Sequence, residues 1–353
     1  MLRSRHPLPG GLELAEVGLE AALIDASRRG DEDAFRDLVQ PLSREVHLLC
    51  YRLLGSFQDA EDALQETLLK AWRGIAGFDG RSAFRTWLQR IATNTCLDLL
   101  RSRKRRVLPQ DVAEPIVGPR THPSQWGDAA LDVPWLEPYP DALLPESVVV
   151  RRETISLAFI RALQLLPPRQ RAVLVLRDVL DWPAAEVAAT LGTSVAAVNS
   201  ALQRARATAA AARAEAPALS ESRLEAAHAR IAREFVRVWE QGDLEGLLAL
   251  LTHDAIQTMA PWLAWFRGTE ALRASYWYAW DGDPRPGVFR AFPAPFNGQP
   301  AFVFYHRPAG EGPFRAIDVL VVTLNEDGSL VRELHSFVRP DLFPAWGYPP
   351  EVE

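Results

Sequence analysis

Two apolar stripes of helical period, one after the other, constrain this chain more than anything else in it. Ala60, Ala63, Leu64, Thr67, Leu68, Ala71, Trp72 and Ile75 recur at i, i+3, i+4, i+7, i+8, i+11, i+12 and i+15. Phe84, Trp87, Leu88, Ile91, Ala92, Thr95, Cys96 and Leu99 repeat that spacing. At about 3.6 residues per turn, each set falls along one side of a helix. Both stripes must be buried against each other or against neighbours, so this stretch predicts a helical bundle.

Around that core the chain divides by composition into four regions. Amphipathic helical patterns run from about residue 12 to 106 and again from about 151 to 214. Between them, 107–150 is proline-studded and acidic: Asp111, Glu114, Asp128, Asp132, Glu137, Asp141 and Glu146 face only Arg120. After a break at Pro217 the last block opens with helices and ends in strands. Leu224, Ala227, Ile231, Phe235 and Val238 mark a helix ending near Gly242, Asp243 caps a shorter one running through Leu251, and Thr269 caps a third after the loop MAPWLAWFRG. The strands FRAFPAPF and AFVFYHRP meet at Asn297-Gly298, which suits a tight hairpin turn. RAIDVLVVTLN and LVRELHSFVRP meet through Glu326, Asp327 and Gly328. Helices followed by a meander give an α+β layout.

Composition excludes several classes. With 48% hydrophobic and 24% charged residues the chain can bury real cores and is not disordered. No apolar run reaches the roughly 20 residues of a membrane helix, and MLRSRHPLPGG lacks a signal peptide's apolar stretch, so a cytoplasmic protein is expected. Cys50 and Cys96 both sit among apolar helical residues, which argues for buried thiols rather than a disulfide or metal framework. No metal-ligand spacing and no cofactor motif is visible. The formal net charge of −6 is unusual for an unaided DNA binder, because phosphate contacts supply most of such affinity. A DNA-binding role therefore needs charge segregated along the chain, or a larger basic partner.

The outward faces carry that segregation. On the first striped helix Asp59, Glu61, Asp62, Gln65 and Glu66 form an acidic side; carboxylates near a helix start also favour its dipole. On the second, Arg90, Asn94, Leu97, Asp98 and Arg101 share the side away from the core, and the run Arg101, Arg103, Lys104, Arg105, Arg106 follows. A polar face continuous with a basic run points to nucleic acid. Farther on, Trp182-Pro183 starts a short helix with Val187, Ala188 and Leu191 inward, and Gly192-Thr193 makes a turn. Ser194 caps a second helix with Val198 and Leu202 inward and Asn199, Ser200, Gln203 and Arg204 outward. That is a helix-turn-helix, whose second helix can enter a major groove.

Together the two helical blocks resemble the extracytoplasmic-function group of sigma-70-type sigma factors, over about 31–207. YRLLGSFQDAEDALQETLLKAW is similar to conserved region two, and the resemblance makes Asp59, Glu61, Asp62, Gln65 and Glu66 a face for the clamp helices of the largest subunit of RNA polymerase core. FDGRSAFRTWLQRIATNTCLDLLRSRKRR resembles the segment that opens and holds the −10 promoter element. By that likeness Phe78, Asp79, Gly80, Arg81 and Ser82 form a base-holding pocket, Arg90, Asn94, Asp98 and Arg101 line the non-template strand, and Arg103, Lys104, Arg105 and Arg106 take phosphates. Unstacking a base costs on the order of a few kcal/mol, which such a pocket offsets. LPPRQRAVLVLRDVLDWPAAEVAATLGTSVAAVNSALQRARA resembles region four, implying −35 contacts by Thr193, Ser194, Ala196, Ala197, Asn199, Ser200, Gln203 and Arg204. Ala197 and Ala201 depart from the hydroxyl or basic residues of many relatives and leave fewer direct contacts. In the family the linker threads the polymerase cleft, which the acidic, proline-rich composition fits; Trp135 and Tyr139 argue for an ordered contact.

The C-terminal block resembles the SnoaL-like cone fold, and MAPWLAWFRGTEALRA is similar to the matching segment of SnoaL domains fused to sigma factors. That fold hosts enzymes, with His253, Asp254, His306, Asp318 and His335 as available acid-base groups here. No nucleophile motif or dyad is visible, so a regulatory module is expected, with a ligand pocket lined by Trp262, Trp265, Phe266, Trp277 and Trp280, or those rings simply forming core. The apolar tail with Leu342, Phe343, Trp346 and Tyr348 is expected to pack on the sigma domains. The resulting division is an N-terminal extension (1–24), region two (25–106), linker (107–150), region four (151–214), SnoaL-like domain (222–340) and tail (341–353): two all-α domains and an α+β one. The competing classes are a free-standing helix-turn-helix repressor and a SnoaL-type enzyme. The sequence does not name an anti-sigma partner.

Overall fold

The structure is a computed structural model that describes residues 10–117, 123–146, 150–212, 220–281, 287–308 and 312–353. Arg120 and Pro217, used above to mark the linker and the domain break, lie outside these residues.

Five helices form the first unit: α1 (Gly10–Arg28), α2 (Glu32–Val39), α3 (Ser43–Leu54), α4 (Phe57–Gly74) and α5 (Phe84–Leu100). Local chemistry sets their ends. The Asp31 carboxylate accepts from the Ala34 N–H, and Ser56 Oγ accepts from the Asp59 N–H, each satisfying an orphan donor of a first turn. Gly55 closes α3 in the left-handed conformation at φ 71°. Helix α3 is the central rod, with Leu48, Leu49, Cys50, Tyr51 and Leu53 all buried, and the two sequence stripes close on it from α4 and α5. Cys50 and Cys96 are both buried thiols. Helix α1 runs through the expected boundary at residue 24 and places Ile24 in the core, so its C-terminal turns belong to this unit; residues 1–9 of the expected extension lie outside the described residues.

The second unit holds α6 (Leu157–Gln164), α7 (Pro168–Leu174), α8 (Ala184–Leu191) and α9 (Val195–Ala212). It packs directly on α3. The Arg52 guanidinium donates to the Thr154 carbonyl at 3.1 Å and to its hydroxyl at 3.0 Å. Arg171 donates to the Leu53 carbonyl, the last turn of α3, and to Gln164 Oε1 at 2.7 Å.

The C-terminal domain sets α10 (Glu221–Gln241), α11 (Leu244–Ala249) and α12 (Thr269–Asp281) against a sheet. Its strands are β1 (Leu251–Ala260), β2 (Trp265–Arg267), β3 (Val288–Pro293), β4 (Ala301–Arg307), β5 (Phe314–Leu324), β6 (Val331–Phe337) and β7 (Glu351–Val352), in the order β2-β1-β6-β5-β4-β3 with β7 beside the start of β5. The four expected strands are β3 to β6. The Asn297-Gly298 turn forms as expected, both residues at positive φ (57° and 66°) between the bridged pair Phe296 and Gln299. Strand β1, parallel to β6, was not anticipated. Its sequence LTHDAIQTMA mixes polar and apolar residues without clean alternation, and it corrects the helix expected to continue through Leu251.

Alternation divides the sheet into two faces. Phe302, Phe304, Leu320, Val322 and Leu334 meet the helices α10 to α12 inside the cone. Val303, Tyr305, Val319, Val321 and Phe337 face the other way, into a cluster that continues through Phe343 and Trp346 of the tail, Tyr139 of the linker and Phe57 of α4. The outer face of the sheet and the helical bundle thus share one core. The linker lies folded in this seam, with Leu136 and Tyr139 fully buried, rather than extended away from the body.

Candidate nucleic-acid and partner interfaces

On α4 the residues Glu61, Asp62 and Gln65 are exposed and Glu66 half exposed, forming one side of the helix. Glu66 pairs with Lys70 at 3.5 Å, and Glu61 lies 3.5 Å from His47 Nε2. Burial lowers the pKa of His47 and the Glu61 charge opposes that shift, so the carboxylate sits beside a mainly neutral ring. Asp59 does not belong to this side. It is buried at the edge of the core stripe, and its two oxygens are taken by Arg103 and Arg106. An uncompensated carboxylate there would cost several kcal/mol, roughly 3–5, which is why the basic run folds back onto it. Leu69, half exposed beside Gln65 and Glu66, adds an apolar spot that sequence inspection passed over because it falls outside the core stripe.

The same pairing revises the basic run. Arg106 also donates to the Trp135 carbonyl at 3.0 Å, and Arg101 pairs with Asp98 at 2.9 Å, whereas Lys104 and Arg105 project to solvent. Arg103 and Arg106 are therefore structural here. In the loop before α5, Asp79, Gly80 and Arg81 are exposed and Ser82 half exposed. The Asp79 carboxylate accepts from the Arg81 N–H at 3.1 Å, and its pKa is lowered chiefly by that bond. Phe78, expected in the pocket, is buried edge-on against Phe84 at 5.7 Å and over Trp87 at 5.2 Å. It anchors the loop from beneath. Asn94 and Asp98 are exposed on α5, while Arg90 is half buried with its Nε fully enclosed.

The helix-turn-helix is placed as its sequence implies. Gly192 turns at φ 60°, and Ser194 Oγ accepts from the Ala197 N–H at 3.2 Å. Thr193, Ser194, Ala196, Ala197, Asn199, Ser200, Gln203 and Arg204 all project to solvent along one face, with Val198, Leu202 and Ala205 buried beneath. Val195 is 43% exposed at the tip of that face, an apolar residue not singled out from sequence.

Sequence reasoning missed a fourth region altogether. The β3–β4 hairpin tip enters the junction of all the units. The Asn297 side chain accepts from the Tyr139 N–H at 2.8 Å and donates to Tyr51 Oη at 2.9 Å and to the Ile155 carbonyl at 2.7 Å, while its own N–H donates to the Tyr139 carbonyl. One fully buried amide thus ties α3, the linker and the approach to α6. Gln299 accepts from the Leu157 N–H at 2.8 Å, at the start of α6. Asp141 accepts from the Gly298 N–H at 2.9 Å. Beside them Glu137, also buried, accepts from Ser56 Oγ (2.8 Å), the Gln58 N–H (3.0 Å) and Arg339 (2.7 Å). In the tail, Trp346 lies between Phe57 of α4 and Phe296 of the hairpin.

In the C-terminal domain the acid-base candidates do not assemble. His253 and Asp254 are exposed, and His306 lies half-buried against Phe289. Leu320 pairs with Ser336 and Val321 with His335, so Asp318 shares the inner face with Leu320 while His335 lies on the outer one. There His335 contacts Thr258 Oγ1 at 3.0 Å and Glu333 at 3.1 Å. The aromatic set divides too. Trp265 and Phe266 are neighbours on a strand and so face opposite ways: the Trp265 indole N–H donates outward to the Ala113 carbonyl, whereas Phe266 lines the cone. Trp265 is therefore not part of a pocket. Trp280 is inside, edge-on to Trp239 at 4.8 Å, Trp262 stands at the rim, and Trp277 is half buried on α12.

Comparison with known proteins agrees with this architecture. Residues 38–106 match sigma-70 region 2, 156–208 match sigma-70 region 4, and 232–333 match the SnoaL-like domain. The ECF RNA polymerase sigma factor SigG of Mycobacterium tuberculosis is 41% identical over 329 residues, covering 91% of this chain and 85% of its own. The ECF RNA polymerase sigma factor SigW of Bacillus subtilis is 33% identical over 184 residues, 52% of this chain and 90% of its own. The crystal structure of the extracytoplasmic function sigma factor SigJ of Mycobacterium tuberculosis superposes with a TM-score of 0.57 at 23% identity, covering 91% of this chain and 99% of that one, and so shares the fold. With two helical regions in family order and that identity across most of both chains, this protein belongs to the extracytoplasmic-function sigma factors of the sigma-70 family, with a SnoaL-like domain fused behind region four.

Proposed function

We propose that this sigma factor, which directs promoter-specific transcription initiation by RNA polymerase, is held by its SnoaL-like domain in a closed form that must open before promoter engagement. The observation that carries this reading is the Asn297 tip, which fastens both DNA-binding units and the linker in one buried junction. Promoter elements named −10 and −35 lie about 25 base pairs apart, on the order of 80 Å of duplex at about 3.4 Å per pair. Two units of roughly 80 residues in direct contact have centres only about 30 Å apart. Regions two and four cannot meet both elements while α3 and α6 stay packed. The linker is likewise committed, since a segment that buries Tyr139 and Glu137 in this seam cannot also thread a polymerase cleft.

In the opened molecule, Glu61, Asp62, Gln65 and Glu66, with Leu69 among them, take the polymerase clamp helices. Asp79, Gly80, Arg81 and Ser82 with Asn94, Asp98 and Arg101 receive the separated −10 strand, and Lys104 and Arg105 meet phosphates. The exposed face of α9 reads the −35 element, and Val195 offers an apolar contact to a thymine methyl group. The protein acts in the cytoplasm, with polymerase. The cone is regulatory and not catalytic, a reading supported by Asp318 and His335 lying on opposite faces of the sheet.

Glu61→Lys, Asp62→Lys and Glu66→Lys combined test the polymerase face. Opposite charge at three exposed positions is expected to weaken association with core polymerase at least a hundredfold in a fluorescence-anisotropy titration, without a change in thermal midpoint. Association unchanged by the triple reversal would remove α4 as the docking face.

A further inference from the structure

A crevice of about 50 Å³ opens in the seam between the two helical units. Glu45 and Arg52 of α3 and Gln89 of α5 line it from the first unit, and Arg151, Thr154 and Leu180 from the second. Its polar lining is buried but incompletely used. Gln89 is 6% exposed, and its side-chain amide meets no partner among the described residues. Arg52 is 4% exposed; it spends Nε and Nη2 on Thr154, which leaves Nη1 for the crevice. Buried polar groups are nearly always satisfied, so two such groups meeting in one crevice call for an occupant.

The charge of the crevice says what kind of occupant. Arg151 donates to the Asp178 carbonyl at 2.7 Å. Burial lowers the pKa of Arg52 to about 10, and the nearby positive charge of Arg151 adds to the fall. Among the described residues neither guanidinium has a carboxylate partner, and Glu45 on the same wall is held 3.5 Å from Arg85. Two positive charges therefore face the space without a counter-ion. The rest of the wall is apolar, with Leu48, Val150 and Leu180. Leu180 closes a single π turn, Val175–Val179, by donating its N–H to the Val175 carbonyl at 3.0 Å. Wide turns of this kind recur at functional sites.

We propose that this seam is a binding site for a short aliphatic monocarboxylate, which fastens the two helical units together. At roughly 10–15 Å³ per water-sized position, the crevice takes about four or five non-hydrogen atoms. The carboxylate accepts from Arg52 Nη1, Arg151 and the Gln89 amide, bonds that an ionised acceptor strengthens. The alkyl end lies against Leu48, Val150 and Leu180. Each unit supplies part of the site, so it is complete only while the units are packed. Ligand binding and closure then favour each other by the same factor, as linkage requires. The regulatory consequence rests on the closed reading above: the bound anion holds the sigma factor shut.

The test uses the full chain and propionate as probe, followed by calorimetry or ligand-observed NMR. Propionamide serves as its uncharged match in shape, and inorganic phosphate as an anion without an alkyl group. The unaltered chain should bind propionate at least tenfold more tightly than either. Arg151→Gln should weaken propionate about tenfold and Gln89→Leu about threefold, with thermal midpoints unchanged in the absence of probe. Saturating propionate should slow exchange of the Tyr139 amide about tenfold and reduce promoter engagement with core polymerase. No propionate binding, as expected if the crevice holds only water, would overturn the site. So would binding indifferent to both variants, or propionamide or phosphate bound as tightly as propionate. Propionate binding that needs Arg151 and Gln89 but leaves promoter engagement constant upholds the site and counts against the closed reading instead.

Discussion

The exposed face of helix α9 and the hairpin tip at Asn297 both carry polar side chains, but they are opposite kinds of construction. Helix α9 and the turn leading into it show eight predicted contact residues to solvent, from Thr193 to Arg204. The Asn297 tip hides one amide among partners at positions 51, 139 and 155. A face held ready for a partner keeps its hydrogen-bonding groups hydrated, so losing one residue costs the protein little stability. A buried junction has spent all of them, and each lost partner leaves a desolvated orphan behind. On the proposed function, control lies in the junction and recognition on the helix.

The sharpest way to break this contrast is Asn297→Ala. It strands the Tyr139 N–H and the Ile155 carbonyl, leaves the Tyr51 hydroxyl with only the Glu137 carbonyl it donates to, and forces alanine to a φ of 57°. At about 1–3 kcal/mol per buried orphan, with overlap between them, closure should weaken by about 4 kcal/mol, on the order of a thousandfold. Small-angle scattering should show a larger radius of gyration, and the Tyr139 amide should exchange faster. Asn297→Gly keeps the left-handed turn and should recover about 1 kcal/mol, separating backbone strain from lost hydrogen bonds. A compact Asn297→Ala protein with a slow Tyr139 amide would show that the junction does not hold the units together. Gln203→Ala on α9, by contrast, should leave compactness unchanged.

Arg339→Ala probes the same junction from the end of the SnoaL-like domain with a smaller effect. It removes the charged partner 2.7 Å from Glu137, whose carboxylate stays buried. Breaking a buried pair costs roughly 3–5 kcal/mol when nothing replaces the partner. Here Ser56 Oγ and the Gln58 N–H still donate to Glu137, so about 2 kcal/mol is expected, read as a lower denaturant midpoint for opening. Adding Glu137→Gln should restore part of the loss. If the double variant is less stable than Arg339→Ala, Glu137 acts through the Ser56 and Gln58 contacts and not through the ion pair.

What could be read in the sequence follows the same contrast. The stripes on α4 and α5, the helix-turn-helix and the Asn297-Gly298 turn are all set by neighbours within a few residues, and each appears where its pattern puts it. The errors come from contacts that the local pattern does not display, some of them made by partners distant in the chain. Asp59 flanks the core stripe and reads as solvated until Arg103 and Arg106, some 44 and 47 positions on, fold back to it. Phe78 reads as a pocket ring until Phe84 and Trp87 cover it. Trp265 reads as pocket lining only while β2 goes unrecognised, because period-two alternation turns it outward as soon as the strand is drawn. The turn chemistry of Asn297 was visible, but its role was not: no local pattern says that a hairpin tip will enter a junction more than a hundred residues away in sequence.

The gentlest test of the contrast is a pH one, through Asp141. Burial raises the pKa of its carboxyl to about 6 in the closed form, opposed by the Gly298 N–H and by Arg152. In an opened molecule the group returns toward the ordinary carboxylate range near 4. A carboxyl whose pKa is higher in the closed form binds protons on closing, so closure tightens as pH falls from about 6 toward 4 and is weakest above 6. At pH 7.5 the closed form carries a buried charge that Asp141→Asn removes while keeping an acceptor for Gly298. That variant should close several-fold more tightly than the unaltered chain at pH 7.5 and equally at pH 4.5, measured by exchange at the Gly298 amide. His47 pulls the other way, since burial lowers its pKa and acid therefore favours opening at that contact. His47→Gln in the Asp141→Asn background should flatten the pH dependence of closure, leaving the acid opening contributed by His228, whose pKa burial lowers to about 4. An Asp141→Asn effect that is the same at both pH values would mean that Asp141 stabilises the hairpin by geometry alone, and the junction would then be as indifferent to protons as the exposed face of α9.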